Sequence, residues 1–356
     1  MAANYRLRYL DEGEFERWDR FVDESDQGSI YSKSYFLRAL CNAACTQFRI
    51  LTAWKGQEIF GGVGLHFKKS RYGYDVHRRG LLYYNGLVLK NFETKYPSKL
   101  IDKHNEILRV MLEELENRMY AVVQLSNRHT LRDTRVFTWN GWGVWPQYTY
   151  EVPIHDLDKL WDRAEQNVRR LITRCEQEGM KLRIDDDFAA FYALHKVTYE
   201  RKGLSPYLSL ERFRMLYEAL KAKNCCQIFF AVSPEGKPLA VQIVLFTNHP
   251  VTHTWAAGAD PDYLRTGASA FLRWKVFEEL NKRGFAYNDL TDAMEEKVAK
   301  FKSQFGGNLV FCPIIHRVNS PLLRVHNRIH DNLVRPFSYM MNKLSNLKKR
   351  EDNGAD

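Results

Sequence analysis

Runs rich in β-branched and aromatic residues at Phe48–Trp54 and Ile59–Phe67, separated by the polar turn Lys55-Gly56-Gln57-Glu58, predict a pair of strands near the start of the chain. A short strand at Tyr5–Tyr9 precedes them, with acidic amphipathic helices near Glu12–Glu24 and Ser32–Cys41; Ser32 suits the N-cap of the second. A further strand is expected at Gly80–Leu89. The spacing of Ile107, Leu108, Met111, Leu112 and Leu115 puts one apolar face on a long helix over Leu100–Met119. Strands resume at Ala121–Leu125 and Tyr148–Val152.

The second half repeats this order with different residues. A helix over Leu157–Glu178 carries a core stripe of Leu160, Ala164, Val168, Leu171 and Cys175 and stops at Gly179, a residue suited to the left-handed cap position. Helices near Phe188–Glu200 and Ser209–Lys221 follow. Strands at Gln227–Ala231, Leu239–Phe246 and Thr252–Ala257 come next, the first two joined by the turn Ser233–Pro238. Helix Ala268–Arg283, strand Ala286–Leu290, helix Glu295–Lys302 and strand Leu309–Ile314 close the unit.

Read as β-α-α-β-β-β-α-β-α-β, this order is that of the GNAT acyltransferase fold. Finding it twice predicts an α+β protein of tandem GNAT-like domains, with mixed, mostly antiparallel sheets flanked by helices. The expected units are 1–147 and 148–317, followed by a basic C-terminal helix in 318–356 packing back on the first domain. A length of 356 residues suits two such domains.

Composition narrows the class. Forty-five percent hydrophobic and 13% aromatic residues with 11 prolines describe a folded chain rather than a disordered one. The six cysteines form no CxxC pair, so packing thiols are expected rather than disulfides or a metal site. His326 and His330 stand four apart, but no third ligand is near them in sequence. The first residues lack the apolar core of a signal peptide and no apolar run reaches the roughly 18 residues that span a bilayer, so a cytoplasmic protein is expected. The net charge of +10 would attract nucleotide-linked substrates, RNA or anionic lipid headgroups, and a basic apolar tail admits peripheral membrane contact.

Three segments carry candidate chemistry. Asn167, Arg170 and Arg174 fall on one stripe of the Leu157–Glu178 helix, fit to hold phosphate through guanidinium contacts; a solvated face paired with Glu165, Glu176 and Glu178 is the plainer alternative. Arg265-Thr266-Gly267-Ala268-Ser269-Ala270 stands where a GNAT protein cradles the pyrophosphate of coenzyme A at a helix N-terminus, which makes Arg265, Gly267, Ala268 and Ser269 donor-binding candidates. The loop has one glycine and its arginine is one residue too close, so a simple loop-to-helix turn explains it equally well. Lys302, at a helix end before Phe305-Gly306-Gly307, would place an ammonium beside backbone that a ligand can approach. Asp289 on the preceding strand is a general base or orienting carboxylate, or equally a helix cap.

With Asp133–Trp142 followed by Tyr148-Thr149-Tyr150, Thr198 with Arg201-Lys202-Gly203, and Lys302–Gly307, the chain resembles the Fem-type (FemABX) transferases and their GNAT-related relatives from Ser32 to Gly307. The resemblance implies transfer of an acyl or aminoacyl group, from acyl-CoA or aminoacyl-tRNA, to an amine of a peptidoglycan or polysaccharide precursor. The acceptor would be a small molecule or a nucleotide- or lipid-linked one, and no metal would be needed. It places Lys302 near the acyl donor and Arg170 and Arg174 near phosphates, with Arg38 the nearest cation to the expected precursor-binding position. The rival is a non-catalytic GNAT-like protein holding nucleic acid or anionic headgroups on its basic surface.

Overall fold

The computed structural model describes residues 5–329. Two mixed sheets hold the chain. The first contains β1 (Arg6–Tyr9), β2 (Gln47–Lys55), β3 (Glu58–Ser70), β4 (Gly73–Val76), β5 (Leu87–Leu89) and β6 (Tyr120–Ser126), with helices α1 (Phe15–Glu24), α2 (Ser34–Ala44) and α3 (Pro97–Leu115). A short helix α4 (Arg135–Trp139) precedes strand β7 (Gly143–Trp145), an edge of this sheet. The second half runs β8 (Tyr148–Pro153), α5 (Leu157–Arg163), α6 (Gln166–Gln177), β9 (Lys181–Asp185), α7 (Phe188–Glu200), α8 (Leu210–Lys221), β10 (Cys226–Val232), β11 (Pro238–Leu245) and β12 (Val251–Ala259). It continues with α9 (Ala268–Lys282), β13 (Tyr287–Asp289), α10 (Glu296–Ser303), β14 (Asn308–Phe311), β15 (Ile314–Val318) and α11 (Pro321–Ile329).

Strand order is β1-β2-β3-β4-β6-β15-β7 in the first sheet, with β5 also on β3, and β14-β8-β13-β12-β11-β10-β9 in the second. Only β4 with β6 and β12 with β13 pair in parallel, so the expected mostly antiparallel pattern holds among the described residues. The expected strand Leu309–Ile314 is two strands, divided at Cys312-Pro313. The later one, β15, pairs with β6 and β7 and returns the chain to the first sheet before residue 317.

Three other expectations are corrected. The single helix Leu157–Glu178 breaks between α5 and α6, where Ala164 and Glu165 take extended backbone and Glu165 N donates to Gln304 O at 2.9 Å. Of Gly80–Leu89 only Leu87–Leu89 is strand. Ser32 does not cap α2: it lies in a 3-10 turn, and the carboxylate of Asp19 takes Ser34 N and Ser34 Oγ, both at 2.7 Å. The basic helix expected near the C-terminus lies within the described residues only as α11; the rest of it, with His330, is outside them.

The halves are joined by a shared core. Phe36, Leu37 and Leu40 of α2 pack with Phe213, Leu216 and Tyr217 of α8 and with Trp255 of β12, whose indole N–H donates to Leu81 O at 2.8 Å. Each such fully buried side chain is worth about 1.5–3 kcal/mol, so this seam holds the first half against the second sheet.

Candidate functional site

β12 and β13 pair in parallel only over Val251–His253 and Tyr287–Asp289; beyond Asp289 they separate, and the chain turns through Thr291 and Asp292. Both residues sit at positive φ, +49° and +30°, a conformation that costs a β-branched residue energy and persists only where the surroundings impose it. Two side chains impose it here. Asp289 Oδ1 accepts from Thr291 N at 2.7 Å, and Lys302 Nζ donates to the carbonyls of Thr291 and Asp292, the latter at 2.6 Å. Thr291 Oγ1 also donates to Thr254 O at 2.7 Å, tying the turn to β12 across the gap.

Asp289 is buried and fully employed. Besides Thr291 it accepts from Tyr84 Oη at 2.7 Å, Thr149 Oγ1 at 2.6 Å and His253 Nδ1 at 3.2 Å. Burial pushes its carboxyl up, but His253, Thr149 and Tyr84 outweigh this and hold it well below the ordinary carboxylate range. Burial pushes the His253 imidazole down, so it serves as a neutral donor through Nδ1 and its Nε2 has no partner. Tyr84 comes from the first half, so Asp289 is a hub between the halves and orients the turn. With every oxygen committed it is not a free general base.

Lys302 is 8% exposed at the end of α10, and among the described residues its ammonium hydrogen-bonds to backbone oxygens. Burial, then the charges of Arg273 and Lys202, push its ammonium down to about 7 against the opposing carboxylates of Asp292 and Asp289. Lys202, on the connection from α7 to α8, is itself held by Glu295 at 2.5 Å. Facing this turn from the first half is the segment His77–Tyr84: Tyr83 has Asp292, Tyr199 and Arg78 as its charged or polar neighbours, and Tyr207 packs over Gly80. The turn therefore lies at the seam of the two halves.

The Phe305-Gly306-Gly307 exit serves packing. Gly306 has φ +73°, and a Cβ there would lie 2.8 Å from Arg163 Cβ, so the glycine lets the chain pass α5 rather than approach a ligand.

The other expected residues lie elsewhere. Arg170 and Arg174 line a cleft of about 420 Å³ on the outer face of α6, joined by Arg169, Gln166, Gln177 and Trp161; Asn167 is exposed but outside it. Arg174 is partly committed, donating to Thr266 O at 2.5 Å and pairing with Glu178 at 3.7 Å. In the Arg265–Ser269 turn only Gly267 and Ala268 are buried beneath α6, while Arg265 is exposed and Thr266 and Ser269 are half-buried; a Cβ on Gly267 would lie 3.0 Å from Leu171 Cβ and 3.3 Å from Cys175 Sγ, and Thr266 Oγ1 faces Ala268 N at 3.3 Å. An open pyrophosphate cradle is not what these residues make. Arg38 stands on the outside of α2 with Glu12 at 3.2 Å, over the ring of Phe15, and does not reach the turn.

Residues 162–303 match the family model for the acetyltransferase (GNAT) domain. Across 90% of this chain the fold superposes on 99% of FemX, with a TM-score of 0.69 at 13% identity. The protein has the Fem-type tandem GNAT fold, with an acetyltransferase domain in its second half. Two further structures share that fold: a tandem GNAT protein from the clavulanic acid biosynthesis pathway, with TM-score 0.53, 9% identity and coverage of 89% and 99%, and the C-terminal domain of an Agrobacterium fabrum protein described as a lysylphosphatidylglycerol synthetase, with TM-score 0.54, 9% identity and coverage of 89% and 96%. By sequence, no curated protein matches the chain.

Within the GNAT domain the residue that sequence reasoning missed is Arg273, buried on α9 with 6% exposure. Its Nη1 donates to Thr254 Oγ1 at 2.7 Å and its Nε has no hydrogen-bond partner among the described residues. A signal was present: an arginine stands inside Ala268–Phe277, where nearly every other side chain is apolar. The hydroxyls of Tyr84 and Thr149 were not distinguishable from core residues.

Proposed function

We propose that the protein is an acyltransferase that moves an acyl or aminoacyl group onto an amine held at the seam of the two halves. The observation that carries this reading is a buried lysine whose ammonium is fixed by the carbonyls of a turn in strained conformation, at the point where β12 and β13 part. In such a transfer the amine attacks the acyl carbonyl, and negative charge grows on its oxygen. A preorganised cation in a water-poor site stabilises that charge far more than one in bulk water. Orientation of the two substrates supplies much of the remaining rate, so a committed Asp289 is no obstacle.

The burial of Gly267 and Ala268 against α6 favours an aminoacyl ester such as aminoacyl-tRNA over acyl-CoA as donor. The arginines on the outer face of α6 suit a phosphate-bearing substrate. An acceptor from the cell envelope, on the cytoplasmic side and near a membrane surface, fits the resemblance to Fem-type proteins and to a protein named for a lysyl-lipid product. Among the described residues no helix is long and apolar enough to cross a membrane.

Calorimetric titration with acetyl-CoA and, in parallel, with aminoacyl-tRNA at moderate salt tests the donor. Binding of aminoacyl-tRNA alone is expected. Saturable binding of acetyl-CoA would mean that the donor assignment is wrong. Salt-sensitive binding of RNA with no transfer from either donor would select a non-catalytic binding protein.

A further inference from the structure

Lys302 and Arg273 are two buried cations joined by a short chain of contacts. Arg273 Nη1 donates to the Thr254 hydroxyl, Thr254 O accepts from Thr291 Oγ1, and Thr291 O accepts from Lys302 Nζ. Neither cation forms an ion pair among the described residues, and the Nε–H of Arg273 is left without an acceptor. Burying a charge without a counter-ion is unfavourable, and a structural role would be met by a neutral side chain at less cost. The charge itself is therefore what the site uses.

We propose that Arg273 is a positioning residue whose fixed positive charge, set behind the Thr291–Asp292 turn, makes Lys302 exchange its proton during acyl transfer. This rests on the acyltransferase reading above. The acceptor nitrogen forms its bond to the acyl carbon while the bond from that carbon to the leaving oxygen breaks. The leaving oxygen takes a proton from the Lys302 ammonium, and the resulting neutral amine takes the proton that the acceptor nitrogen gives up. One proton passes from nitrogen to leaving group, and Lys302 ends as it began. A lysine near its ordinary value would hold its proton too tightly for the second half of this exchange, and acid–base groups work best when poised near the working pH.

The groups facing Lys302 are Arg273 from α9, Lys202 from the connection after α7, and Asp289 and Asp292 from β13 and its turn. The first two repel its charge and the last two favour it. Arg273 remains charged at neutral pH although burial pushes it down to about 10.

The test is NMR titration of the lysine side-chain nitrogens in the full chain, with the Lys302 signal assigned by its loss in Lys302→Met. The wild-type signal is expected to titrate near 7. Arg273→Met, which fills the same space without charge, should raise that midpoint by about one unit or more, whereas Arg273→Lys should leave it within about half a unit. The pH limb of the transfer rate should move with it. A midpoint that Arg273→Met leaves in place overturns the proposal, as does a moved midpoint with an unmoved rate profile. A wild-type protein that shows the coupled midpoint but transfers no acyl group from any donor would instead contradict the acyltransferase reading.

Discussion

Asp289 and Lys302 lie on either side of one turn and are solvated in opposite ways. Around Asp289 the protein supplies a donor for every contact the carboxylate needs: Tyr84 from one half, Thr149 and His253 from neighbouring strands, and Thr291 from the turn. Around Lys302 it supplies two carbonyl oxygens and the charges of Arg273 and Lys202, and among the described residues no carboxylate closes an ion pair with it. The first arrangement is that of a structural joint. The second carries unspent charge that a substrate developing negative charge would meet, and it depends on the first because Asp289 holds the turn that holds Lys302.

Breaking the joint should have the largest effect. Asp289→Ala leaves the hydroxyls of Tyr84 and Thr149 buried without their acceptor and should destabilise the fold by about 3–5 kcal/mol, read from urea unfolding. Little loss would mean that the joint is not holding the two halves together.

Lys302→Met sharpens the contrast through pH. The folded-state value of Lys302 lies near 7 and the unfolded one near 10.5, so between these the unfolded chain binds the extra proton and wild-type stability rises with pH from this group. The cost of burying the ammonium is fully present below pH 7 and has gone above pH 10.5. Relative to Lys302→Met, the wild type should therefore gain a few kcal/mol between these limits, at about 1.4 kcal/mol per unit. Parallel stability curves for the two proteins would show that Lys302 is not buried with its charge.

Arg170→Ala removes a cation from the α6 cleft, and a roughly tenfold or smaller rise in KM with kcat unchanged is expected, in an assay whose salt dependence weakens. Arg38→Ala should do least, within about 0.5 kcal/mol in stability and with unchanged kinetics, since its pairing with Glu12 is exposed.

The contrast also explains what the sequence disclosed. The helices with regular apolar spacing, α3 and α8, the apolar-rich α9, and the cap at Gly179, which has φ +77°, follow from local pattern and are found close to where expected. The break between α5 and α6 is invisible locally, because Ala164 and Glu165 are good helix formers; Gln304, at the far end of α10, makes it by accepting from Glu165 N and donating to Glu165 Oε2. β9 and β7 are edge strands without a clear alternation. Lys302 could be read from its motif, but Arg273 becomes meaningful only when α9 folds over β12. Gly267 is the reverse case, covered by α6 although its loop pattern suggests an open turn, while Arg265 stays exposed.

The most direct test is single-turnover transfer from aminoacyl-tRNA to an amine acceptor by the wild type and by Lys302→Ala, with folding of both confirmed by circular dichroism. The account expects transfer by the wild type and a loss of about 10²–10³-fold in the variant, the scale seen when a preorganised oxyanion partner is removed. An Ala variant that is folded and transfers at the wild-type rate would contradict it.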